Sequence, residues 1–561
     1  MTNNASKSLS QKTITEINSI SGNIVDVINN EIYAGTLEIK DGKIHKITKL
    51  NEKFKTYIIP GFIDSHIHVE SSMLVPSEFA RTVVKNGMVA VVADPHEIAN
   101  VVGIDGVNFM INNGKQVPFK FYFGAPSCVP ATSFETAGAN IGSNEIKELL
   151  KLDDIHFLGE MMDFPGVIAK NKEVMAKIEA AQYYNKPVDG HVPGLVGEDL
   201  EKYIKAGIST DHECYAKEEA LEKIKLGMKI LIREGSAAKD FDALSSLIEE
   251  YPDYCMFSSD DRHPHDLVEY HIDILVKKAI KLGYDKMKVL KCACVNPVKH
   301  YNLDVGLLQE GDNADFIEIN NFEELKILKT VINGLLVAEK GWSHIPKVKT
   351  EFINNFKTKN KKPGDFVVKY TNKKINVIEP VDGLLVTKKL YIEPKVENGY
   401  IVSDVERDIL KITMINRYDN VPPALAFIKN FGFKKGAIAS SVAHDSHNLI
   451  AVGVSDEDIT RAVNLVIKHK GGLSVVHDEV EMILPLPVAG LMTDKGVFNV
   501  AKEYTKLENE AVSLGSSLAD PFMTMSFMGL LVIPDIKLSD KGLFDAKNFK
   551  FIGLDEIEKL N

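Results

Sequence analysis

Residues 60–68 read Pro-Gly-Phe-Ile-Asp-Ser-His-Ile-His, and this stretch decides how the chain is interpreted. Alternate side chains of a β-strand share one face, so His66 and His68 point the same way. Two adjacent imidazoles are suitable ligands for one metal ion. A single H-x-H pattern is a weak signal on its own, so the prediction depends on the residues that follow.

From Ile63 to about Asn302, short apolar runs alternate with charged amphipathic segments. Such alternation predicts a parallel sheet with crossover helices. The eight runs are Phe62–Ser65, Val89–Ala93, Phe119–Phe123, Ile155–Gly159, Pro187–Gly190, Ile208–Asp211, Lys229–Ile232 and Cys255–Ser258. Eight strands in this length predict an α/β fold, a (β/α)8 TIM-like barrel, with an open doubly wound sheet as the alternative.

The flanks of this region have a different pattern. Residues 22–50 and 311–337 carry short β-like runs separated by turn signals such as Asn333-Gly334. We therefore predict a small β-sandwich domain split between residues 1–60 and 306–346, with the barrel at 61–305. Residues 347–364 are predicted as a linker, and residues 365–561 as a C-terminal α+β domain.

Composition excludes several classes of protein. The 561 residues carry a net charge of −12, which argues against a protein that coats nucleic acid. Five cysteines are too few and too scattered for a disulfide framework. Residues 1–11 are polar and lack an apolar signal core, and no apolar run is long enough for a bilayer. We expect a cytoplasmic protein without membrane or nucleic-acid partners.

Potential metal ligands recur at the ends of the predicted strands. They are Asp94, His96, Glu97, Glu160, His191, His212, Asp260 and Asp261, in addition to His66 and His68. Barrel active sites are built at the carboxyl ends of the strands. One open catalytic metal needs about three protein ligands, so the surplus predicts two metals, with Glu160 as a candidate bridge. Such a centre supplies a hydroxide nucleophile, and Asp260 would be a ligand and proton acceptor.

Several segments resemble a known family. Residues 60–68 are similar to the first-strand signature of the amidohydrolase superfamily. Within it, the chain resembles the adenine deaminases through Ala93-Asp-Pro-His-Glu, Asp189-Gly-His-Val-Pro-Gly, Thr210-Asp-His-Glu, Arg233-Glu-Gly-Ser, Ser259-Asp-Asp-Arg and Ala443-His-Asp-Ser-His-Asn. The segments occur in order along the chain, from about residue 20 to its end.

The resemblance implies hydrolysis of adenine to hypoxanthine and ammonia with two divalent metal ions, commonly Mn²⁺ or Fe²⁺. The implied metal ligands are His66, His68, Glu160, His191, His212 and Asp260. Asp260 would shuttle a proton to the amine, and either Glu160 or Glu234 would protonate N1. Arg233, Glu97, Ser236 and Asp261 are the predicted substrate-binding residues. The roles of Asp94, His96 and the loop with His444, Asp445 and His447 remain open.

Three other interpretations compete with this one. Another cyclic-amidine or amide hydrolase of the superfamily would use nearly the same residues and differ in substrate. A metal-stabilised scaffold would have no catalytic role for Asp260. A cytidine-deaminase-type zinc enzyme is excluded, because no P-C-x-x-C follows His68-Val-Glu70. For the oligomeric state we expect a homodimer, the commonest assembly.

Overall fold

The computed structural model describes residues 14–236 and 238–556. The polar N-terminal segment, residues 1–11, lies outside these described residues. The same holds for residue 1, where the first predicted domain begins, and residue 561, where the last one ends. Among the described residues, no helix combines the length and the apolar character needed to cross a membrane.

A closed barrel of eight parallel strands forms the centre of the molecule. Its strands are Phe62–Ile67, Met88–Ala93, Lys120–Ala125, Ile155–Met161, Val188–Gly190, Thr210–Asp211, Lys229–Arg233 and Cys255–Ser258. Hydrogen-bonded pairing joins the first five and the last three. Parallel bridges between Val188 and Ile208 and between Ile67 and Asp260 close the ring. The prediction of a (β/α)8 barrel is confirmed, and the open sheet is not the fold.

Burial explains why these runs become barrel strands. The second strand, Met88–Ala93, is apolar throughout and buried at every residue, as expected for a strand with neighbours on both faces. Gly61 precedes the first strand because a side chain there would collide with Val89.

Helices cover the outside of the barrel. In the helix Ile272–Lys281, the buried residues Ile272, Leu275, Val276 and Ala279 have helical spacing and form one apolar face. The barrel helices are Pro76–Val83, His96–Val102, Ile104–Gly114, Ser143–Leu150, Phe164–Ile168, Lys172–Tyr183, Gly197–Lys205, Lys217–Lys225, Phe241–Leu244, Leu247–Glu250, Pro264–Glu269, Ile272–Lys281, Lys286–Leu290 and Asn296–Tyr301.

Chain segments from both sides of the barrel meet in one nine-stranded sheet. Its strands are Thr15–Glu16, Ser19–Asp26, Glu31–Lys40, Lys43–Lys49, Tyr57–Pro60, Phe316–Ile319, Ile327–Ile332, Leu335–Glu339 and Trp342–Ser343. The two halves join at two places: Tyr57–Pro60 pairs antiparallel with Phe316–Ile319, and Thr15–Glu16 pairs antiparallel with Leu335–Glu339. The returning strands therefore lie in one sheet with the N-terminal strands, and Asn333-Gly334 forms the turn between two of them.

The C-terminal region is built on an eight-stranded sheet. In spatial order its strands are Thr387–Ile392, Ile375–Pro380, Ala424–Lys429, Ile409–Ile415, Leu449–Gly453, Ala437–Ser440, Gly472–His477 and Val480–Pro485. The helices are Asp456–His469, Val497–Ser513 and Pro521–Ser526. Two three-stranded sheets complete the region: Val368–Lys369, Lys395–Glu397 and Tyr400–Val402; and Ile536–Ser539, Gly542–Asp545 and Lys550–Phe551.

The segment between the barrel and this sheet is held in place by hydrogen bonds. Residues 347–362, most of the predicted linker, contain no helix or strand, and Pro363–Phe366 forms a 3-10 turn. Asn354 accepts a bond from the buried Arg417, and the Lys361 amide donates to Asn464. Backbone bonds between Met73, Val75 and Thr493 also tie the C-terminal region to the barrel. The C-terminal region therefore packs against the barrel end that carries the candidate ligands.

Candidate metal centre

The six predicted metal ligands converge at the carboxyl ends of the barrel strands. His66 is near the end of the first strand, and His68 directly follows it. Glu160 is in the fourth strand, and His191, His212 and Asp260 follow the fifth, sixth and eighth. Because parallel strands end at one rim, residues nearly 200 positions apart become neighbours there.

His66, His68, Asp260 and Glu160 form one half of the centre. The Nε2 atom of His68 is 3.2 Å from Asp260 Oδ1 and 3.4 Å from Glu160 Oε1. His66 Nε2 is 3.8 Å from Asp260 Oδ1. All four residues are buried. Such spacing between donor atoms leaves room for a cation bound by several of them at once.

Glu160 also belongs to the other half of the centre. Its Oε2 atom is 2.8 Å from His191 Nδ1 and 3.1 Å from His212 Nε2. One carboxylate oxygen thus faces His68 while the other faces His191 and His212. This arrangement fits the predicted role of Glu160 as a bridge between two ions.

The hydrogen-bond partners of the histidines suit a metal site. Both ring nitrogens of the fully buried His66, and Nε2 of His191, have no hydrogen-bond partner among the described residues. His68 Nδ1 donates a hydrogen bond to the Asp94 carbonyl oxygen at 3.0 Å, which directs Nε2 toward Glu160 and Asp260. Buried polar atoms without partners are costly, and cations would satisfy them. The residues therefore fit two divalent ions.

Electrostatics hold three of the six ligands in the form that binds a cation, whereas His68, His191 and His212 would release a proton on binding one. Burial lowers the pKa of each of these three imidazoles, but the neighbouring carboxylates outweigh burial and raise the pKa, for His191 to about 9. Burial and then the neighbouring His212 and His68 hold the pKa of His66 well below its usual range, so this imidazole is neutral. Burial alone would raise the pKa of Glu160 and Asp260. For Glu160, the contacts with His191, His212 and His68 outweigh burial and lower the pKa. For Asp260, the hydrogen bond from His68 and the charge of Arg233 outweigh burial in the same way, so both carboxyls are ionised.

Arg233, a predicted substrate-binding residue, lies among three carboxylates. Its guanidinium donates to Asp260 Oδ2 at 2.6 Å, to Asp240 Oδ2 at 3.1 Å and to Glu213 Oε2 at 3.1 Å. The side chain is only 1% exposed. Arg233 therefore holds Asp260 and Glu213 in position. All three residues line a cavity over the candidate metal centre.

Two other predicted site residues lie away from the ligands. The Glu234 carboxylate pairs with Lys278, whose side chain is 39% exposed. The Ser236 hydroxyl donates to Asp266 at 2.6 Å and accepts from the His263 amide. Successive residues of a strand point to opposite faces, so Arg233 faces the cavity and Glu234 does not. Asp261, in contrast, lines the cavity and accepts a bond from Ser71.

Glu97 joins the barrel to the C-terminal region. Its Oε1 atom is 2.7 Å from His444 Nδ1, and its Oε2 atom contacts His447 Nε2. The Ala443 amide donates to His447 Nδ1, which leaves the His447 proton on Nε2, directed at Glu97. The three side chains could by spacing hold a cation, but this proton placement favours hydrogen bonds.

The charges in this group follow from the same contacts. Burial disfavours the charged form of His444, but the Glu97 carboxylate outweighs it and raises the pKa to about 9. For Glu97 itself, burial is outweighed by His444 and then His447, and its pKa is well below the usual range. A buried imidazolium–carboxylate pair therefore lies beside the candidate metal centre.

The cavity over the centre has walls from both regions of the chain. Sequence reasoning left Glu213, Asp94, His96 and His444 without assigned roles and did not identify the apolar wall. Because Glu213 directly follows the candidate ligand His212, its place in the cavity could have been predicted from the sequence. The apolar residues of the cavity wall carry no such signal in the sequence. The wall residues outside the barrel are Leu385, His444, Asp445, Phe527 and Leu530. A neighbouring cavity of about 440 Å³ shares Ala238 and Leu385 with it.

Comparison with known proteins gives consistent matches. Residues 57–337 match the model of the amidohydrolase family, and residues 384–550 match the adenine deaminase C-terminal domain. Adenine deaminase from Salinibacter ruber is 51% identical over 95% of this chain and 98% of its own. Adenine deaminase from a Sulfurovum species is 52% identical over 94% and 98%.

Among solved structures, a beta-aspartyl dipeptidase from Fervidobacterium islandicum AW-1 covers 59% of this chain and 97% of its own, with a TM-score of 0.44 and 14% identity. The matches to the two named adenine deaminases cover 95% and 94% of the chain, and so include both the barrel and the C-terminal region. The chain therefore belongs to the amidohydrolase family and, within it, to the adenine deaminases.

Proposed function

We propose that this protein hydrolyses adenine to hypoxanthine and ammonia, a reaction of purine salvage. The observation that carries the proposal is the convergence of His66, His68, Glu160, His191, His212 and Asp260 at one barrel rim in a chain about half identical to named adenine deaminases. The direct test is ammonia release from adenine by the metal-loaded protein.

Two divalent cations are the proposed cofactors, with Mn²⁺ or Fe²⁺ as the metals. His66, His68 and Asp260 would hold one ion, His191 and His212 the other, and Glu160 both. When bound, such ions supply a deprotonated water as nucleophile near neutral pH. Imidazole and carboxylate ligands suit both metals. Reconstitution of the metal-free protein with each ion, alongside measured metal content, tests this assignment.

Asp260 is the proposed proton carrier toward the leaving group. It accepts a proton from the water that attacks C6 and delivers it to the exocyclic nitrogen, which leaves as ammonia. Arg233 donates to Asp260 Oδ2, which leaves Oδ1 on the side of His66 and His68. Asp260→Asn is expected to lower kcat by about 10²- to 10⁴-fold, the usual contribution of a general acid–base group.

For protonation of N1, the geometry favours Glu160 over Glu234; because the Glu160 carboxyl is ionised, it would first accept a proton from the attacking water and then pass it to N1. Glu160 lines the cavity, whereas the Glu234 carboxylate is occupied by Lys278. Glu160→Gln should therefore abolish turnover, and Glu234→Gln should leave kcat almost unchanged. The two substitutions are chemically identical and act as controls for each other. Loss of turnover in Glu234→Gln alone would reverse the assignment.

The alternative is another cyclic-amidine or amide hydrolase of the same superfamily. It would share the metal centre, but the identity to named adenine deaminases does not favour it. A substrate panel with adenine, a cyclic imide and an N-acetylated sugar distinguishes the two. Turnover of the imide or sugar without turnover of adenine would establish the alternative.

A cytoplasmic homodimer that binds neither nucleic acid nor membranes is the proposed setting. The net charge of −12 supports the absence of a nucleic-acid partner, because polyanions repel an acidic surface. Dimers are the commonest oligomers of soluble enzymes. Sedimentation equilibrium tests the assembly, and a mass of one chain would overturn it.

A further inference from the structure

His444 and Asp445 bring two polar groups from the C-terminal region into the wall of the catalytic cavity. Both are buried, at 5% and 4% exposure. The barrel supplies the ligands of the metal centre, so these groups have no role in the chemistry described so far. They line the same cavity as the candidate metal ligands, where substrate would bind.

His444 is held with one edge toward Glu97 and the other unoccupied. Its Nδ1 atom donates to Glu97 Oε1, and the Phe527 ring stacks on the imidazole with centroids 4.5 Å apart. No hydrogen bond to His444 Nε2 is present in residues 14–236 and 238–556. Since Glu97 favours the imidazolium form, Nε2 carries a proton that is available for donation.

Asp445 offers the complementary group. Its Oδ2 atom is buried and, within the described part of the chain, has no hydrogen-bond partner. An unpaired buried carboxylate oxygen costs free energy, and a ligand N–H would relieve this cost. Adjacent residues thus present one donor and one acceptor to the same cavity.

We propose that His444 and Asp445 bind the edge of adenine that is remote from C6, with His444 Nε2 donating to N3 and Asp445 Oδ2 accepting from N9–H. With C6 at the metal centre, this edge faces away from the metals. Free adenine carries a ring-nitrogen acceptor at N3 beside a donor at N9. A nucleoside has a sugar at N9 and lacks that donor.

The proposal rests on adenine being the substrate and explains how a free base is selected over a nucleoside. Glu97 and His447 are positioning residues in this scheme. Glu97 fixes the orientation of His444, and His447 occupies the second Glu97 oxygen, so that the carboxylate keeps one arrangement. A site built to hydrogen-bond a substrate group discriminates strongly against analogues that lack it.

The test pairs two variants with two analogues. 9-Methyladenine lacks N9–H, and 3-deazaadenine lacks the N3 acceptor. For the unmodified enzyme, each analogue should have a KM about 10- to 100-fold above that of adenine, the loss expected for one hydrogen bond to a charged group. In His444→Ala the penalty for 3-deazaadenine should vanish and that for 9-methyladenine should remain; in Asp445→Ala the pattern should reverse.

Two control variants distinguish a specific role of His444 from general effects of a substitution. His45, exposed on the N-terminal sheet, provides a matched His→Ala variant that should behave as the unmodified enzyme. His444→Gln keeps a donor, should retain part of the 3-deazaadenine penalty, and serves if the alanine variant fails to fold. Penalties that are unchanged in His444→Ala and Asp445→Ala would overturn the proposal.

Two further outcomes are informative. Metal content should be equal in the unmodified enzyme and His444→Ala; loss of one ion per chain in the variant would overturn the proposal and assign Glu97, His444 and His447 to a cation. If the unmodified, metal-loaded enzyme releases no ammonia from adenine, the proposed function itself fails. Adenine turnover with identical kinetics in both alanine variants would refute only the role of this residue pair.

Discussion

Removal of Arg233 should strongly destabilise the barrel, since this one guanidinium neutralises three buried carboxylates. It donates to Asp260, Asp240 and Glu213, and none of these residues is more than 7% exposed. Arg233→Met preserves the approximate volume and removes the charge. Three negative charges would then remain close together without their common cation.

The loss of stability can be estimated from the burial of Arg233 and its three carboxylate partners. Removing one partner of a buried ion pair costs about 3–5 kcal/mol, and three dependent carboxylates place Arg233→Met at about 5 kcal/mol. A typical stability is about 5–15 kcal/mol, so the variant would lose a third or more of it. Arg233→Lys keeps the charge but loses the planar fork, and we expect about half this cost.

Urea denaturation of the metal-free protein, followed by circular dichroism, measures the difference in unfolding free energy. Lys151→Met is the matched control: Lys151 pairs with Glu148 on the surface at 44% and 68% side-chain exposure. That change should leave the unfolding free energy almost unchanged, because solvent screens an exposed ion pair. A loss below about 1 kcal/mol for Arg233→Met would show that the carboxylates do not depend on this residue. Adding Asp240→Asn to Arg233→Met should recover part of the loss.

Three further predictions concern other parts of the molecule. Chelation should abolish adenine turnover and lower the melting temperature, and two ions per chain should restore both; full activity with one ion would contradict the binuclear centre. Gly61→Ala should cost about 1–3 kcal/mol, because a Cβ there would lie 2.2 Å from Val89 Cγ1, whereas Gly364→Ala meets no atom within 4 Å and should be neutral. Burial lowers the pKa of Lys537 to about 7. Above pH 7 the unfolded chain therefore binds a proton that the folded chain does not, and the free energy of unfolding should rise by about 1.4 kcal/mol per pH unit until the unfolded lysine titrates. Lys537→Met should remove this slope, and an equal slope in both proteins would refute the pKa assignment.

The barrel and the convergence of the candidate ligands at one rim could be predicted from the sequence because both follow local rules. Apolar runs define the strands, and His66, His191 and Asp260 lie at or just beyond strand ends, where parallel topology collects them. Strand alternation could also have separated Arg233 from Glu234, since consecutive side chains face opposite sides. The motif resemblance suggested a role for Glu234 in the cavity that its pairing with Lys278 does not support.

The C-terminal wall of the cavity could not be predicted in the same way. Leu385 and Phe527 reach the site through tertiary docking of a separate sheet, and an apolar residue that lines a cavity has the same sequence pattern as one that fills a core. The hydrogen bonds between Glu97, His444 and His447 connect positions about 350 residues apart. No local periodicity encodes such a contact.

The bridge between Ile67 and Asp260 has a consequence for biosynthesis. The first strand of the barrel is translated long before the eighth, yet the two must be adjacent to close the ring and to bring Asp260 to His66 and His68. A nascent chain that ends before residue 260 therefore exposes the histidine pair without Asp260, one of the two carboxylates that face it. High-affinity metal uptake should begin only after this strand leaves the ribosome, so the time of metal capture would report completion of the barrel.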